Sequence, residues 1–415
     1  MDKMRLVVPS QQVYITTNPT TNNVRGRMSF IRRLGVGCII LAALGLLYVP
    51  AYHSAQGPLF GIGIGEVSPP AETLGAGSNY LDTSVAQISG WTFNTSRNVN
   101  LYINPENNTT ITSPELSCAT SPPYLLIIVC SAVGNQKARV AIRNTWGSEQ
   151  NLYYLATSST VNTTVKIVFL LGESTNDTLN AAILDENYEY GDIIQEKFID
   201  TYNNLTVKSV MMLKLVTTMC PQATFLMKTD DDMYVNVPAL VKVIRSRPNS
   251  AGTLMGSLIC NARPISDPKN KWYTPKYMYA EKTYPNYLSG TGYVMSLDVA
   301  LKLYKAALKT PLLHLEDVYL TGLCAKKAKL RPVNHPGFSY IPRKLDYCVL
   351  KSAITAHKVD SSNMYEIWNK LQNTNVSCSN AANSDNTSKS VALLNRHGRH
   401  VNYYFTKKRV NNRCS

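Results

Sequence analysis

Residues 224–237 read Thr-Phe-Leu-Met-Lys-Thr-Asp-Asp-Asp-Met-Tyr-Val-Asn-Val, an apolar run followed by three consecutive acids. The run predicts a buried strand that ends at Asp230, Asp231 and Asp232. Acids crowded at the end of a core strand repel one another and lose hydration, so a bound cation is the usual remedy. Carboxylate oxygens suit Mg²⁺ or Mn²⁺, which commonly hold phosphates. The alternative is a solvated acidic turn that caps the next helix; the strand in front of the acids favours metal.

Strand and helix patterns alternate on both sides of this stretch. Continuous apolar runs at 123–129 and 165–171 predict strands buried on both faces, and residues 136–146 and 205–219 have helical spacing. A last helical pattern covers 364–371. We therefore predict an α/β fold, an α/β/α sandwich around a mostly parallel central sheet. Ligands bind such sheets at the carboxyl ends of the strands, which is where the three acids lie.

The N-terminal part of the chain predicts a membrane anchor. Residues 34–52 carry no charge, and their length is near the lower limit for a spanning helix. Arginines crowd the N-terminal side of this span, at Arg25, Arg27, Arg32 and Arg33, and no Lys or Arg follows it before Arg97, so residues 1–33 are expected in the cytosol. A cleaved signal peptide is the alternative, but the long polar leader argues against it. The net charge of +15 favours acidic partners, and a body beyond the membrane excludes nucleic acid.

Glycosylation acceptors and cysteines support a body in the secretory lumen. Eight Asn-x-Ser/Thr sequons occur beyond the span, at Asn94, Asn107, Asn108, Asn162, Asn176, Asn204, Asn375 and Asn386. Eight cysteines also follow the span, without the spacing of zinc ligands, so disulfides are expected and their pairing stays open. We expect a flexible stem at 53–120, a catalytic domain at 121–371, and a Ser/Asn-rich, basic extension at 372–415.

Two later segments carry candidate ligand contacts. Aromatic residues stand at Lys271-Trp-Tyr273 and around Gly290 and Gly292, two glycines that allow close approach to the backbone. Aromatic faces can stack on a sugar ring, but an ordinary aromatic turn in the core is an equally good interpretation. Glu316 and Asp317 form an acid pair in an apolar setting, which serves general-base catalysis or simple helix capping. If this segment is extended, Glu316 and Asp317 point to opposite sides, and the apolar neighbours of Asp317 raise its pKa.

The motifs together resemble the β1,3-galactosyltransferase family, glycosyltransferase family 31. The resemblance covers roughly residues 123–371. The motifs that carry it are Arg139-Val-Ala-Ile-Arg-Asn-Thr-Trp-Gly147, Phe198-Ile-Asp-Thr-Tyr-Asn-Asn-Leu-Thr206, Lys228–Asn236, Lys271-Trp-Tyr273, Ser289-Gly-Thr-Gly-Tyr293 and Glu316-Asp-Val-Tyr319. It implies a GT-A-like fold, a type II protein of the Golgi membrane, Mn²⁺, and a UDP-galactose donor whose galactose is inverted into a β1,3 linkage on a glycoprotein or glycolipid acceptor.

The resemblance also implies a role for each candidate residue. Metal ligation falls to Asp230, Asp232 and His357, with Asp232 the surest direct ligand, and Asp317 is the catalytic base. The residues expected at the nucleotide-sugar donor are Arg139, Arg143, Lys228, Asp230, Asp231, Trp272, Gly290, Gly292 and Glu316. Without the resemblance, His357 reads as a core histidine, and Arg139 and Arg143 as the solvated face of a helix.

Two departures from the family pattern affect the cysteines. Leu288 stands where the family usually carries a Cys, which puts the family's disulfide to Cys324 in question and leaves Cys260 as a substitute partner. The C-terminal extension has no counterpart in the family, and Cys378 and Cys414 are expected to pair with each other there.

Two other functions fit the same residues. One is β1,3-N-acetylglucosaminyl transfer from UDP-N-acetylglucosamine on the same scaffold. The other is a luminal glycan-binding protein that has lost activity, against which the intact Asp230, Asp232, Asp317 and His357 count. Nothing in the sequence identifies the acceptor.

Overall fold

The computed structural model of the chain describes residues 87–91, 95–114, 118–152, 163–372 and Cys378. The predicted anchor Leu34–Tyr52 lies outside the described residues, as does the C-terminal extension apart from Gln372 and Cys378. In the part of the chain that is described, no helix is both long enough and apolar enough to cross a membrane.

The body is built on one large sheet. Its eight strands are β1 (Thr110–Thr112), β2 (Leu125–Cys130), β3 (Val165–Glu173), β4 (Ile193–Ile199), β5 (Phe225–Asp230), β7 (Leu254–Ile259), β8 (Tyr287–Ser296) and β9 (Val333–Asn334). The strand order is β1-β4-β3-β2-β5-β8-β7-β9. Strands β4, β3, β2 and β5 are parallel neighbours, while β8 runs antiparallel to both β5 and β7. The central sheet is therefore parallel at its core, as predicted.

Helices cover both faces of this sheet. They are α1 (Gln136–Arg143), α2 (Asp177–Tyr190), α3 (Leu205–Met219), α4 (Val237–Arg245), α5 (Leu297–Ala307), a π-helix (Val318–Cys324), α6 (Ala325–Lys327), α7 (Tyr347–Ser352) and α8 (Ser361–Gln372). Alternate β2 side chains enter two separate cores: Leu126 and Ile128 pack towards α3 and α5, and Leu125 and Ile127 towards α1 and α4. This confirms the three-layer α/β/α arrangement.

A second, two-stranded sheet connects the acidic stretch with the end of the body. Strand β6 (Met233–Val235) pairs antiparallel with β10 (Thr355–His357), and His357 lies opposite Met233. This pairing brings together residues more than a hundred positions apart.

The predicted stem extends too far along the chain. Val99 and Ile103 are almost fully buried in the core, and β1 pairs with β4 as an edge strand of the large sheet. A disulfide joins Cys118 to Cys220 at the end of α3. The described residues between 95 and 120 therefore belong to the folded body, because they cover apolar surface of α3 that would otherwise be exposed.

The expected cysteine pairings are partly wrong. Cys378 is bonded to Cys348, not to Cys414. Cys324 is free and buried, so it has no substitute partner in Cys260, which is itself disulfide-bonded. Leu288 occupies the core and its backbone N–H donates to Thr321 Oγ1 at 2.8 Å, so apolar packing holds this region without a disulfide.

Candidate active site

The three acids follow the central strand of the sheet, as the sequence predicts. Asp230 is the last residue of β5 and lies in register with Cys130 at the end of β2. A two-residue turn, Asp231–Asp232, then leads into β6. The next helix, α4, is capped by Asn236, whose side chain accepts the Ala239 N–H. Helix capping therefore does not explain the acids.

Asp232 meets His357 across the small sheet. The distance from Asp232 Oδ2 to His357 Nε2 is 3.4 Å, and the Asp232 side chain is 46% exposed. The other ring nitrogen, Nδ1, lies 2.7 Å from the Tyr340 carbonyl oxygen. Burial alone would lower the pKa of His357, but Asp232 and the Tyr340 carbonyl outweigh burial and raise it. Because Nδ1–H donates to Tyr340, the neutral imidazole presents the Nε2 lone pair towards Asp232.

These two side chains fit a divalent cation that takes its remaining ligands from a bound substrate and water. No group of three or more His, Cys, Asp or Glu side chains placed to hold a metal ion occurs among the described residues. Mn²⁺ accepts carboxylate and imidazole ligands together, and cations that serve phosphates are commonly held by one or two carboxylates. Asp230 is less free, because its Oδ1 accepts a hydrogen bond from Lys228 Nζ at 2.6 Å.

Asp231 turns away from this pair towards the loop after β2. Its Oδ2 accepts hydrogen bonds from Ser131 Oγ at 2.7 Å and Asn135 Nδ2 at 2.9 Å. Burial raises the pKa of Asp231, and the two hydrogen bonds oppose that rise. The carboxylate thus fixes the 131–135 loop beside Asp232 and His357.

Lys228 is the buried centre of the site. Its ammonium donates to Asp230 and to the Gly290 carbonyl, and it lies 3.6 Å from Glu316 Oε2. Burial favours the neutral amine, but Asp230 and Glu316 outweigh burial and raise the pKa of Lys228 well above its usual value. Lys228 therefore stays charged, and its ammonium links Asp230 to the second acid pair, Glu316 and Asp317.

Glu316 and Asp317 meet the same glycine. Gly290 N–H donates to Asp317 Oδ2 at 3.2 Å, and a Cβ added at Gly290 would lie 2.9 Å from Glu316 Oε2. The sequence-based expectation that Glu316 points away from Asp317 is wrong, because this segment starts the π-helix and is not extended. Gly290 is needed here because a larger residue would displace Glu316; at Gly292 the nearest atom is 3.4 Å away, an ordinary contact.

The two acids have different environments. Burial, followed by the charge of Glu316, raises the pKa of Asp317 to about 6, against hydrogen bonds from the Val318 and Gly290 N–H groups. Asp317 also caps the π-helix through its hydrogen bond from the Val318 N–H, so capping and catalysis are not exclusive here. Glu316 Oε1 accepts the Tyr293 hydroxyl at 2.6 Å, and its charge together with burial holds the pKa of Tyr293 well above its usual value.

Arg139 and Arg143 are neither solvated nor open to a ligand. Arg139 is fully buried, pairs with Glu186 at 2.7 Å, and donates to the Ser131 hydroxyl and the Ala132 carbonyl. Arg143 pairs with Glu186 and with Asp192. The solvated-face alternative is therefore wrong, and any effect of Arg139 on a donor passes through Ser131, the residue that also binds Asp231.

Trp272 lies on the long connection between β7 and β8. Its indole Nε1–H donates to the Tyr202 hydroxyl at 2.9 Å, and its side chain is largely exposed. Tyr202 belongs to a short 3₁₀ turn, Tyr202–Asn204, just after β4. Trp272 and Tyr202 form an aromatic pair at the surface.

Sequence reasoning missed a second buried lysine that supports the site. Lys208 donates to the Ser131 carbonyl at 2.9 Å and to Asp200 Oδ2 at 2.8 Å, while Asp200 also accepts the Gly172 N–H. These bonds tie together the ends of β2, β3 and β4. The only signal in the sequence was a lysine inside the apolar helix pattern of 205–219, which is unusual unless the charge is paired.

Comparison with known proteins supplies the family. The Galactosyltransferase family model matches residues 137–336, which include every candidate site residue except His357. Human "Beta-1,3-galactosyltransferase 1" is 36% identical over 270 residues, which is 65% of this chain and 80% of that protein. This chain belongs to the galactosyltransferase family.

Other relatives agree at the same level. The mouse "Beta-1,3-galactosyltransferase 1" has the same identity and coverage as its human counterpart, 36% over 270 residues. Human "Beta-1,3-galactosyltransferase 2" is 38% identical over 280 residues, which is 66% of this chain and 64% of that protein. A solved glycosyltransferase involved in glycosylation of the major capsid of PBCV-1 has a TM-score of 0.31 and 11% identity, with 59% of this chain and 98% of that chain covered. That structural likeness is too low to add to the assignment. The enzyme is thus a glycosyltransferase, and nucleotide-sugar donor and glycan acceptor are its substrate classes.

Proposed function

We propose that the enzyme moves galactose from UDP-galactose to the 3-hydroxyl of a glycan acceptor with inversion, forming a β1,3 linkage. The observation that carries the proposal is the separation of two carboxylate environments within one family-typical site. Asp232 and His357 form an open pair suited to a cation, whereas Asp317 sits across the Lys228–Gly290 contact with a raised pKa. An inverting transfer needs both, a charge sink for the leaving group and a separate base.

On the metal side, Asp232 and His357 would hold Mn²⁺, with Asp230 beside them. The ion would neutralise the charge that develops on the departing diphosphate. Asp231 fixes the loop at 131–135 beside the donor, and we assign it to the donor ribose. Arg139 supports that loop from behind, and Arg143 supports Arg139 through their shared partner Glu186.

On the base side, Asp317 accepts the proton of the acceptor 3-hydroxyl. The oxygen then bonds to C1 of galactose as the bond from C1 to the diphosphate oxygen breaks, and UDP leaves with the electron pair on the opposite side. Asp317 suits this step because a base works best when its pKa is near the operating pH, and burial has moved it there. Glu316 and the Gly290 peptide hold the base in place, and Gly292 continues the same strand past the site.

We propose the further placement of the enzyme as the sequence predicts: a GT-A-like body behind an anchor at residues 34–52, facing the lumen of the Golgi. The disulfides Cys118–Cys220 and Cys348–Cys378 support an oxidising compartment. Asn107, Asn108 and Asn176 are exposed, as glycan acceptors must be.

A donor comparison tests the proposal. The full-length enzyme is assayed with Mn²⁺ and either UDP-galactose or UDP-N-acetylglucosamine, on one β-linked N-acetylglucosaminide acceptor, and the product linkage is read by NMR. We expect a β1,3-linked galactoside, with UDP-galactose used far more efficiently. A higher kcat/KM for UDP-N-acetylglucosamine would move the enzyme to the rival specificity, and no turnover of either donor would leave the glycan-binding alternative.

A further inference from the structure

Tyr202 and Trp272 form a joined aromatic surface from distant parts of the chain. The indole Nε1–H donates to the phenol oxygen at 2.9 Å across 70 residues of sequence, and each residue is 46% exposed. Large aromatic side chains are usually buried, and when exposed they are usually scattered singly. Two of them fixed to each other by their polar atoms, with their ring area left open, form a built surface.

A lysine stiffens this surface. The ammonium of Lys271 lies 4.7 Å from the Trp272 ring centroid and 5.3 Å from the Tyr202 ring centroid. At these distances the ring faces attract the ammonium. Tyr202 and Trp272 remain 46% exposed although Lys271 contacts both rings, so the lysine orients the rings without covering them.

The surface lies at the same edge of the sheet as the acids. Tyr202 follows β4 by three residues, and Asp200 in between is bonded to Lys208, which in turn binds the Ser131 carbonyl beside Asp231. Burial raises the pKa of the Tyr202 phenol, the Trp272 hydrogen bond opposes this, and the charges of Asp317, Asp230 and Glu316 add to the rise. Thr206, four residues after Tyr202, donates its hydroxyl to the Leu313 carbonyl at 2.6 Å. This bond holds the Tyr202 turn beside the segment that leads to Glu316 and Asp317.

The position of the Tyr202–Trp272 surface indicates that it serves the acceptor and not the donor. Trp272 was expected at the nucleotide sugar, but its bonded partner Tyr202 belongs to the turn that is held beside the segment leading to Asp317. A pyranose ring has an apolar C–H face and polar edges, so a flat aromatic surface can bind the face while a nearby carboxylate takes a hydroxyl at the edge.

We propose that Tyr202 and Trp272 form the acceptor platform, which binds the apolar face of the acceptor's terminal pyranose and turns its 3-hydroxyl towards Asp317, with Lys271 holding the two rings. The inference rests on the proposed function, because it assigns the acceptor subsite of that reaction. It moves Trp272 from the donor to the acceptor and adds Tyr202, which the sequence analysis did not single out.

Binding is tested without turnover by tryptophan fluorescence. The chain has four tryptophans. Trp91 and Trp146 are buried and Trp368 is partly buried, so Trp272 is the most exposed reporter. Full-length enzyme with UDP and Mn²⁺ is titrated with methyl β-N-acetylglucosaminide and, separately, with methyl β-galactoside. We expect a saturable change with one of these probes that disappears in Trp272→Leu. A change that persists in Trp272→Leu, or no change with either probe in the wild type, overturns the platform.

Kinetics then assign the platform to one substrate. Trp272→Leu should raise the acceptor KM about tenfold, the loss of roughly one aromatic contact, and leave the donor KM and donor hydrolysis unchanged. Tyr202→Phe keeps the ring and removes only the hydroxyl, so its effect should be smaller. The matched control is Tyr188→Leu, an aromatic residue that is 96% exposed on α2.

The fluorescence titration and the kinetic comparison together distinguish failure of this inference from failure of the proposed function. An unchanged acceptor KM in Trp272→Leu, or a donor KM raised as much as the acceptor KM, overturns the platform while galactosyl transfer stands. If the wild type transfers no galactose at all, the proposed function fails, and the fluorescence titration still decides whether the surface binds a pyranose.

Discussion

The metal side and the base side of the site use the same residue type and treat it differently. The Asp232 carboxylate is 46% exposed and faces His357 at 3.4 Å. Asp317 is largely withdrawn from solvent, held by two backbone N–H groups, and has a pKa raised to about 6. A carboxylate open to water keeps its charge and can ligate a cation, while a buried one gains proton affinity and can act as a base. Solvent exposure therefore separates the two roles.

The largest effect is expected from the base. Asp317→Asn keeps the side-chain shape but cannot accept the proton, so kcat should fall by about 10²–10⁴-fold. UDP binding in the presence of Mn²⁺, measured by calorimetry, should survive. Glu316→Gln serves as the comparison: if that variant is inactive while Asp317→Asn keeps near-normal turnover, Glu316 is the base.

The metal side should respond almost as strongly. Asp232→Ala removes a charged ligand, and losing several kcal/mol of charge stabilisation corresponds to about 10³-fold in rate. His357→Ala should cost less, because a neutral ligand contributes less electrostatically, and added Mn²⁺ should partly restore it. The check is activity against Mn²⁺ concentration, with the exposed Asp185→Ala as control. Full activity of the wild type in excess chelator would contradict a metal role.

The pH profile, compared between the wild type and Glu316→Gln, examines the base side. At saturating Mn²⁺, kcat should fall on the acid side of about pH 6, approaching tenfold per pH unit, because Asp317 must be deprotonated to act. Since the Glu316 charge contributes to the raised pKa, Glu316→Gln should move this acid limb to lower pH. An acid limb that stays in place in Glu316→Gln would show that another group titrates.

The smallest effect is expected when Glu316 loses its hydrogen bond from the Tyr293 hydroxyl. Tyr293→Phe removes a hydroxyl that donates to Glu316 Oε1 at 2.6 Å, and losing a hydrogen bond to a charged group corresponds to about tenfold in kcat here. The donor KM should change little. Tyr304→Phe is the control, because that buried hydroxyl has no hydrogen-bond partner in the described structure. Equal losses in both variants would mean that Tyr293 acts only through packing.

The sequence predicted the framework well because local patterns encode it. Helix α3 occupies residues 205–219 as predicted, and β2 and β3 lie where continuous apolar runs stand. Asp231 and Asp232 follow a central strand for the same reason, because unpaired charges end a buried strand. Lys228 and Asp230 lie within β5 because they pair with each other. Element type and buried faces follow from the spacing of neighbouring residues, which the chain itself displays.

Only the tertiary structure decided which distant residues meet. The pairing of β6 with β10 places His357 on Asp232, the start of the π-helix brings Glu316 beside Asp317, and Arg139 is buried against Glu186. The helical spacing predicts that Arg139 lies on the face opposite its apolar neighbours. It does not show that Glu186 of α2 pairs with Arg139 on that face. Such contacts depend on how whole elements pack. The sequence alone therefore named the acids of this enzyme, while the fold separated them into the open Asp232–His357 pair and the buried Asp317, to which we assign the metal and base roles.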